Sequence, residues 1–247
     1  MHQPIELPAQ GSIVALTGAG ISVESGLPSF RGADGLWEGW RLEEVATPEA
    51  FARQPGTVQR FYDQRRRQLQ GAGIRLNAAH TALARLEAHW PGEVLVVTQN
   101  IDDLHERAGT GNLIHMHGEL LRARCTACTA LHACSHDLEP DHRCAACGQQ
   151  NVLRPHVVWF GEMPLALDAI DAALARCDLF LAIGTSGQVY PAAGFVETVR
   201  RHGRGHTVEL NLERSAVSAL FAEQMPGPAS ETVPRLVEEI LSEAQSC

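Results

Sequence analysis

Short apolar runs alternate with amphipathic stretches along most of the chain. The run at residues 13–16 ends in a glycine-containing turn at residues 17–20. Continuous apolar runs of this length predict strands buried on both faces, and the stretches between them have the period of a helix. Their alternation predicts an α/β fold with a Rossmann-like, doubly wound parallel sheet. Further predicted strands cover residues 94–97, 113–116, 179–183 and 206–210, and predicted helices cover residues 57–69, 78–89, 165–176, 192–202 and 233–244.

Two insertions interrupt this alternation. Residues 36–73 are mostly helical, and residues 124–151 carry two pairs of cysteines among small and polar side chains. We predict that this helical module and this cysteine-containing module together form a smaller domain. Residues 1–35, 74–123 and 152–247 would form the larger, Rossmann-like domain, in which ligands bind outside the carboxyl ends of the strands.

Composition narrows the class of protein. The net charge of −9 argues against nucleic acid as the main partner, because nucleic-acid-binding proteins usually carry a basic face. No apolar stretch approaches the ~18 to 20 residues that span a bilayer, and residues 1–10 lack the features of a signal peptide. We therefore expect a cytoplasmic protein with no membrane partner. All 20 basic residues are arginine, which excludes a Schiff-base lysine.

The cysteine pairs have the spacing of a zinc site. Cys125-x2-Cys128 and Cys144-x2-Cys147 are separated by 15 residues. Four thiolates close a tetrahedral shell, so such a zinc ion would be structural, and a histidine between the pairs would not be needed as a ligand. Two disulfides, or four unrelated cysteines, are the alternatives.

The glycines after the first strand are a weaker signal. Gly18-Ala19-Gly20 would let the backbone approach a pyrophosphate closely. The full dinucleotide fingerprint requires a glycine at position 23, where this chain has Val23. The glycines alone are equally typical of a tight turn between a strand and a helix.

Polar segments follow three other predicted strands. Residues 98–102, 184–186 and 211–213 all lie where a doubly wound sheet binds its ligand. Their directional hydrogen-bonding groups suit a ribose and a carboxamide. For Asp102 and Asp103, capping of the following helix is an alternative that is compatible with binding.

A histidine ends a further predicted strand. His117 lies at the end of the run at residues 113–116, where it could act as a general base near neutral pH. His115 would share its face of the strand but lies farther from the strand end. A purely structural histidine is the alternative for both.

Together these motifs resemble those of the sirtuins, the NAD-dependent protein deacylases. The resemblance runs from about residue 12 to residue 234, and is greatest to the bacterial members of class III, which are linked to desuccinylation. It rests on Gly18-Ala19-Gly20-Ile21-Ser22-x-Glu24-Ser25-Gly26, Phe30-Arg31, Thr98-Gln99-Asn100-Ile101-Asp102, His117-Gly118, the two cysteine pairs, Gly184-Thr185-Ser186 and Asn211.

The resemblance implies NAD as co-substrate and one structural zinc ion held by Cys125, Cys128, Cys144 and Cys147. The catalytic residues would be His117, as general base, with Asn100 and Asp102. The implied NAD-binding residues are Gly18, Ala19, Gly20, Ser22, Phe30, Arg31, Trp37, Gln99, Asn100, Ile101, Asp102, Gly184, Thr185, Ser186, Asn211, Glu213 and Ala229.

The implied partner is a protein or peptide that carries an acylated lysine, and the enzyme would be a monomer. Residues 158–162 and 187–190 would flank the peptide as strands. The implied substrate residues in these segments are Val158, Phe160, Gly161, Glu162 and Val189.

In the implied reaction, the acyl oxygen of the lysine attacks the anomeric carbon of the nicotinamide ribose, and nicotinamide leaves. His117 then helps to deprotonate a ribose hydroxyl, which attacks the resulting imidate. The products are lysine, nicotinamide and O-acyl-ADP-ribose. Protein mono-ADP-ribosylation, a non-catalytic NAD- or ADP-ribose-binding module and a redox dehydrogenase are the alternatives.

The predicted helix at residues 57–69 places Arg65 in the middle of an apolar stripe, while Arg66 and Arg67 turn away from the stripe. A guanidinium on an inward face needs a partner, and a ligand carboxylate could be bound by it bidentately. Pairing with a distant Asp or Glu, or extension into solvent, are the alternatives. The stripe consists of Val58, Phe61, Tyr62 and Leu69.

Tyr62-x-x-Arg65 also resembles the pair that reads the acyl carboxylate in class III sirtuins. The resemblance therefore predicts that Tyr62 and Arg65 bind the acyl group, with a preference for succinyl- and malonyl-lysine and with acetyl-lysine accepted.

Overall fold

The computed structural model describes residues 5, 7–28, 39–139 and 141–244. Six of the strands in these residues form one parallel sheet, which confirms the predicted α/β fold with a doubly wound sheet. The strands are β1 (Ile13–Thr17), β2 (Val94–Thr98), β3 (Leu113–His115), β4 (Gly118–Cys125), β5 (Leu131–Ala133), β6 (Leu153–Val157), β7 (Leu179–Ile183), β8 (His206–Asn211) and β9 (Glu223–Pro226).

The parallel sheet has the order β3-β2-β1-β7-β8-β9, and β4, β5 and β6 form an antiparallel sheet in the order β5-β4-β6. Strands β1, β2 and β7 are buried along their whole length. In β1, Ile13 and Ala15 pack into one apolar core, while Val14 and Leu16 pack into the core on the other face. This alternation explains why the sequence shows the strand as a continuous apolar run.

Helices cover both faces of the parallel sheet. The first core includes α5 and α9, and the second includes α7 and α8. The helices are α1 (Gly20–Val23), α2 (Leu42–Val45), α3 (Pro48–Arg53), α4 (Pro55–Leu69), α5 (Ala78–His89), α6 (Leu104–Ala108), α7 (Leu167–Arg176), α8 (Phe195–His202) and α9 (Ala229–Ala244), with short 3-10 helices at Ala192–Gly194 and Ser218–Leu220.

Helix α9 and strand β9 are among the elements that differ from the prediction, as are strands β4, β5 and β6, which were not predicted. Helix α9 begins four residues before the predicted start at residue 233, and its first turn is held by Glu24, which accepts hydrogen bonds from the backbone N–H and the hydroxyl of Ser230. Strand β9 was not predicted, because Glu223, Gln224 and Pro226 give it no apolar pattern, as is usual for an edge strand.

A separate apolar core joins helix α4 to the antiparallel sheet. Phe61 and Tyr62 of α4 pack there with Leu120 of β4, Val157 of β6 and Trp159. Strand β4 continues without a break across the predicted domain boundary at residue 123. The division into two domains stays a prediction. Within the described residues, no helix has the length and apolar character needed to cross a membrane.

Candidate active site

A cavity of about 1020 Å³ lies at the carboxyl ends of β1, β2, β7 and β8. The predicted cofactor and substrate residues that fall within the described ranges all line it, although their individual roles stay predictions. Phe30, Arg31 and Trp37 lie outside the described residues. The predicted residues that line the cavity are Gly18, Ala19, Gly20, Ser22, Tyr62, Arg65, Gln99, Asn100, Ile101, Asp102, His117, Val158, Phe160, Gly161, Glu162, Gly184, Thr185, Ser186, Val189, Asn211, Glu213 and Ala229.

The glycines after β1 and β7 touch each other at the edge of the cavity. A Cβ atom on Gly20 would lie 2.6 Å from the Cα of Gly184, and one on Gly18 would lie 2.7 Å from the carbonyl oxygen of Gly184. Gly184 itself has φ +63, a conformation that favours glycine. The close contact of the two loops therefore requires glycine, and it leaves backbone rather than side chains at this part of the cavity wall.

A chain of buried polar groups runs from the glycine turn to Asp102. Asn100 donates Nδ2–H to the carbonyl oxygen of Gly18 at 3.1 Å and to Oγ of Ser22 at 3.2 Å. The hydroxyl of Ser22 donates in turn to Oδ2 of Asp102 at 3.0 Å. Since these side chains are buried and line the cavity, the network is preorganised for a polar ligand.

Asp102 serves both the helix and the cavity. Its Oδ1 accepts the backbone N–H of Leu104 at 3.2 Å, in the first turn of α6, so the capping interpretation and the binding interpretation are compatible. Burial raises the pKa of its carboxyl group from 3.8 to about 6, although the hydrogen bonds from Leu104 and Ser22 oppose the rise. The carboxyl group is thus mostly ionised at neutral pH.

His117 has the hydrogen-bonding pattern of a general base. Its Nδ1 lies 3.0 Å from the carbonyl oxygen of Gln99. Because a carbonyl oxygen can only accept, Nδ1 carries the hydrogen and Nε2 keeps its lone pair. Burial lowers the pKa of His117, while the hydrogen bond to Gln99 opposes this shift. The imidazole is therefore neutral, and can accept a proton, over a wider pH range than an exposed histidine.

His115 has the opposite character. Its Nε2 lies 2.9 Å from Oε1 of Glu106, and its Nδ1 lies 3.3 Å from the carbonyl oxygen of Asn100. Burial by itself would lower the pKa of His115, but the hydrogen bond and the charge of Glu106 raise it overall. Because Glu106 raises the pKa of His115 and both of its ring nitrogens lie close to acceptors, His115 is less suited than His117 to act as the base.

The end of β8 is tied to the loop after β7. Asn211 donates Nδ2–H to the carbonyl oxygen of Thr185 at 2.9 Å and to Oε1 of Glu209 at 3.3 Å. Glu209 is buried and also accepts the hydroxyl of Ser218. This arrangement fixes the wall of the cavity that carries the implied NAD-binding residues at the ends of β7 and β8.

Tyr62 faces the cavity from helix α4 and is held by Trp159. Its hydroxyl oxygen accepts the indole Nε1–H of Trp159 at 2.9 Å. Since the indole can only donate, the hydrogen of the Tyr62 hydroxyl can go to another acceptor. Burial raises the pKa of Tyr62, so the phenol stays protonated as a hydrogen-bond donor.

Arg65 is buried in the same wall, at 9% exposure, so the alternative of extension into solvent is wrong. It donates Nη1–H to the carbonyl oxygen of Phe61 at 3.2 Å, and its guanidinium carbon lies 4.0 Å from the centroid of the Phe61 ring. Burial lowers the pKa of Arg65 to about 10. The cavity wall thus contains a partly desolvated guanidinium, three residues after Tyr62 on the same helix.

Glu162, a predicted substrate residue, is engaged by the protein itself. Its two oxygens accept hydrogen bonds from Arg154 at 2.7 and 2.9 Å, and Oε2 also accepts the backbone N–H of Trp159 at 2.8 Å. The Arg154 guanidinium lies 3.3 Å above the Trp159 ring. These contacts position Trp159, and hence Tyr62; a direct contact of Glu162 with substrate stays a prediction.

Several cavity residues were not predicted as binding residues from the sequence. Gln68 lines the cavity from α4, three residues after Arg65, and its position on the same helical face could have indicated it. Leu120 reaches the cavity from the antiparallel sheet. No local pattern in the sequence signals such contacts, because they depend on how that sheet packs against α4.

The four paired cysteines lie together. Sγ of Cys125 lies 3.8 Å from Sγ of Cys147, and Sγ of Cys128 lies 3.6 Å from Sγ of Cys144. A tetrahedron with Zn–S bonds of about 2.3 Å has edges of about 3.8 Å, so the thiols fit a structural zinc ion. All four are free thiols, which excludes the disulfide alternative.

Comparison with known proteins identifies the family of the chain. A sequence model described as the Sir2 family matches residues 18–191. The chain belongs to the Sir2 family.

Relatives of this Sir2-family chain are similar to it over more than nine tenths of its length. An NAD-dependent protein deacylase from Vibrio vulnificus (strain YJ016) is 56% identical over 235 residues, covering 95% of this chain and 96% of the relative. One from Escherichia coli (strain K12) is 58% identical over 229 residues, covering 93% and 82%. A Sir2 homologue solved in complex with NAD has 38% identity and a TM-score of 0.85, covering 99% of this chain and 98% of that one.

Proposed function

We propose that this protein is an NAD-dependent protein-lysine deacylase that transfers the acyl group to ADP-ribose. The observation that carries the proposal is the geometry of His117, whose Nδ1 is bound to the Gln99 carbonyl so that Nε2 can take a proton in the cavity. The relatives named as deacylases at 56% and 58% identity favour deacylation over mono-ADP-ribosylation, non-catalytic binding or hydride transfer.

Different residues of the cavity have different roles in the proposed reaction. The buried network of Asn100, Ser22 and Asp102 would hold NAD in the cavity. The acyl oxygen bonds to the anomeric carbon as the bond to nicotinamide breaks. Nε2 of His117 then accepts the proton of a ribose hydroxyl, whose oxygen attacks the acyl carbon. Addition of one water completes the release of lysine and O-acyl-ADP-ribose.

The preferred acyl group ends in a carboxylate. Arg65 supplies a partly desolvated positive charge and Tyr62 a neutral hydroxyl on the same face of α4. A carboxylate accepts from both, and such charge-assisted bonds are stronger than neutral ones. Succinyl- and malonyl-lysine therefore bind better than acetyl-lysine, whose methyl group makes neither bond.

Steady-state kinetics tests this proposal. The values of kcat/KM are measured for one peptide carrying acetyl-, malonyl- or succinyl-lysine, with NAD present and absent. We expect turnover only with NAD and the highest kcat/KM for the two acidic acyl groups. Turnover without NAD would contradict the deacylase mechanism, and a higher kcat/KM for acetyl-lysine would contradict only the acyl preference.

The proposal includes a monomeric enzyme in the cytoplasm. The free thiols of the described cysteines are those of a reducing compartment. Light scattering on the purified protein tests the monomer, and fractionation of cells tests the compartment.

A further inference from the structure

Helix α4 has a second buried strip beside the one that faces the cavity. Asp63 and Arg66 follow Tyr62 and Arg65 by one residue each, and they are only 5% and 0% exposed. They form a buried ion pair. Removing two charges from water is costly, and apolar residues in place of such a pair often give equal or greater stability. The pair therefore needs an explanation other than stability.

Arg66 ties α4 to the strand that follows the general base. Its Nε donates to the carbonyl oxygen of Leu120, in β4, at 3.2 Å. The backbone N–H of Leu120 donates to the carbonyl oxygen of Ile101 at 2.8 Å, and both residues line the cavity. The position of α4 is thus linked to the backbone that carries His117 and Ile101.

The same pair ties α4 to the cysteine module. Nη1 of Arg66 donates to the carbonyl oxygen of His136 at 3.1 Å, and the backbone N–H of Leu138 donates to Oδ1 of Asp63 at 3.1 Å. The partners in both contacts are backbone groups of the segment between the two cysteine pairs. A shift of α4 relative to this module would therefore break buried hydrogen bonds.

We propose that Asp63 and Arg66 are positioning residues that set the place of Tyr62 and Arg65 in the cavity wall, and so determine acyl selectivity. This inference rests on the proposed preference for acidic acyl groups. A side chain misplaced by about 1 Å can reduce a rate about 100-fold. The hydrogen bonds from Tyr62 and Arg65 to the acyl carboxylate depend most on the position of α4. An acetyl group makes no bond to Arg65 and is less affected.

The double variant Asp63→Asn/Arg66→Met tests the inference. It removes both charges together, and the asparagine oxygen can still accept the Leu138 N–H. We expect kcat/KM for the succinyl peptide to fall about tenfold more than for the acetyl peptide, mainly through KM. Hydrogen exchange should increase in residues 55–69. Arg85→Ala, which removes an exposed ion pair with Glu238, is the control. It should change neither the ratio of the two kcat/KM values nor the hydrogen exchange of residues 55–69.

Gln70→Ala provides a milder test that does not disturb the buried charges. Gln70 is exposed and donates Nε2–H to the carbonyl oxygen of Ser135 at 2.9 Å, so it supports the same contact from outside. Its loss should reduce the succinyl-to-acetyl ratio of kcat/KM about twofold. If the double variant does not fold, the succinyl-to-acetyl ratio of Gln70→Ala tests the inference instead. A ratio equal to that of the wild type overturns the inference.

The outcomes separate this inference from the proposed function. If Arg65→Met removes the succinyl preference but the double variant lowers kcat/KM for the succinyl and acetyl peptides by the same factor, Asp63 and Arg66 are merely structural. If the wild-type protein has no succinyl preference, the proposed acyl specificity fails first, and the positioning inference fails with it.

Discussion

The imidazole Nδ1 of His117 lies 3.0 Å from the carbonyl oxygen of Gln99, the residue that follows strand β2. Strand β3, which ends two residues before His117, pairs with β2 in parallel register. The pairing of two strands therefore fixes the orientation of the imidazole. His115, although it is two residues away, is bound to Glu106.

Replacing His117 should abolish most of the activity. We expect His117→Ala to lower kcat about 100-fold or more, because a positioned general base typically contributes at least this factor. Burial lowers the pKa of His117. The apparent pKa of the acid limb in the wild-type profile of kcat/KM against pH should therefore lie below the ordinary histidine value of 6.5. His89→Ala, at an exposed position on α5, is the control. Undiminished NAD-dependent turnover in His117→Ala would show that another group is the base.

Replacing Arg65 should change selectivity more than overall activity. We expect Arg65→Met to reduce kcat/KM for succinyl-lysine about 30-fold, corresponding to about 2 kcal/mol for a charged hydrogen bond. The value for acetyl-lysine should change far less. Arg60→Met, on the exposed side of the same helix, is the matched control. Equal losses for both acyl groups would contradict the assigned role of Arg65.

Asp102 should reduce the stability of the protein at neutral pH. Asp102 is 8% exposed, and burial raises the pKa of its carboxyl group from 3.8 to about 6. The neighbouring charge of Asp103 adds to the rise, and that of His115 opposes it. The folded state thus binds the proton more tightly than the unfolded state, so the energetic cost is complete above about pH 6 and disappears below about pH 4.

Asp102→Asn should therefore be more stable than the wild type above pH 6, by up to about 3 kcal/mol, while losing NAD-dependent activity. Urea unfolding at several pH values measures the difference, which should shrink as the pH falls towards 4. A variant that is less stable than the wild type at high pH would show that the ionised carboxylate is net stabilising.

The cysteine cluster should be required for stability rather than chemistry. We expect Cys144→Ser to lose zinc and to unfold at a lower temperature, because four thiolates close the shell. Elemental analysis and thermal unfolding measure these effects. Cys177→Ala, at a buried cysteine outside the cluster, should keep its zinc. Full zinc content in Cys144→Ser would point to another ligand, and His132 is the nearest candidate, with Nε2 3.3 Å from Sγ of Cys144.

The sequence predicted those parts of the fold that depend on local pattern. The predicted strands at residues 13–16 and 94–97 correspond to β1 and β2, which each extend one residue further. Strands buried on both faces are easily recognised because they consist of continuous apolar residues. The end of each parallel strand then indicated where polar groups would meet. Arg65 was also visible, as a charge within an apolar stripe.

Contacts between distant residues could not be predicted in this way. Glu24 binds the first turn of helix α9 through Ser230, 206 residues later, and Trp159 binds the hydroxyl of a tyrosine 97 residues away. Arg66 is buried more completely than Arg65, yet on a helical pattern it only turns away from the apolar stripe. Apart from Asp63, its partners lie on β4 and in the cysteine module, and helix periodicity carries no information about those elements.

Product analysis by mass spectrometry tests the central claim most directly. A succinyl-lysine peptide is incubated with the enzyme and NAD, and nicotinamide, free-lysine peptide and O-succinyl-ADP-ribose are quantified. The proposed function predicts that the three form in equal amounts. Free succinate without O-succinyl-ADP-ribose, or a peptide that has gained ADP-ribose, would contradict it.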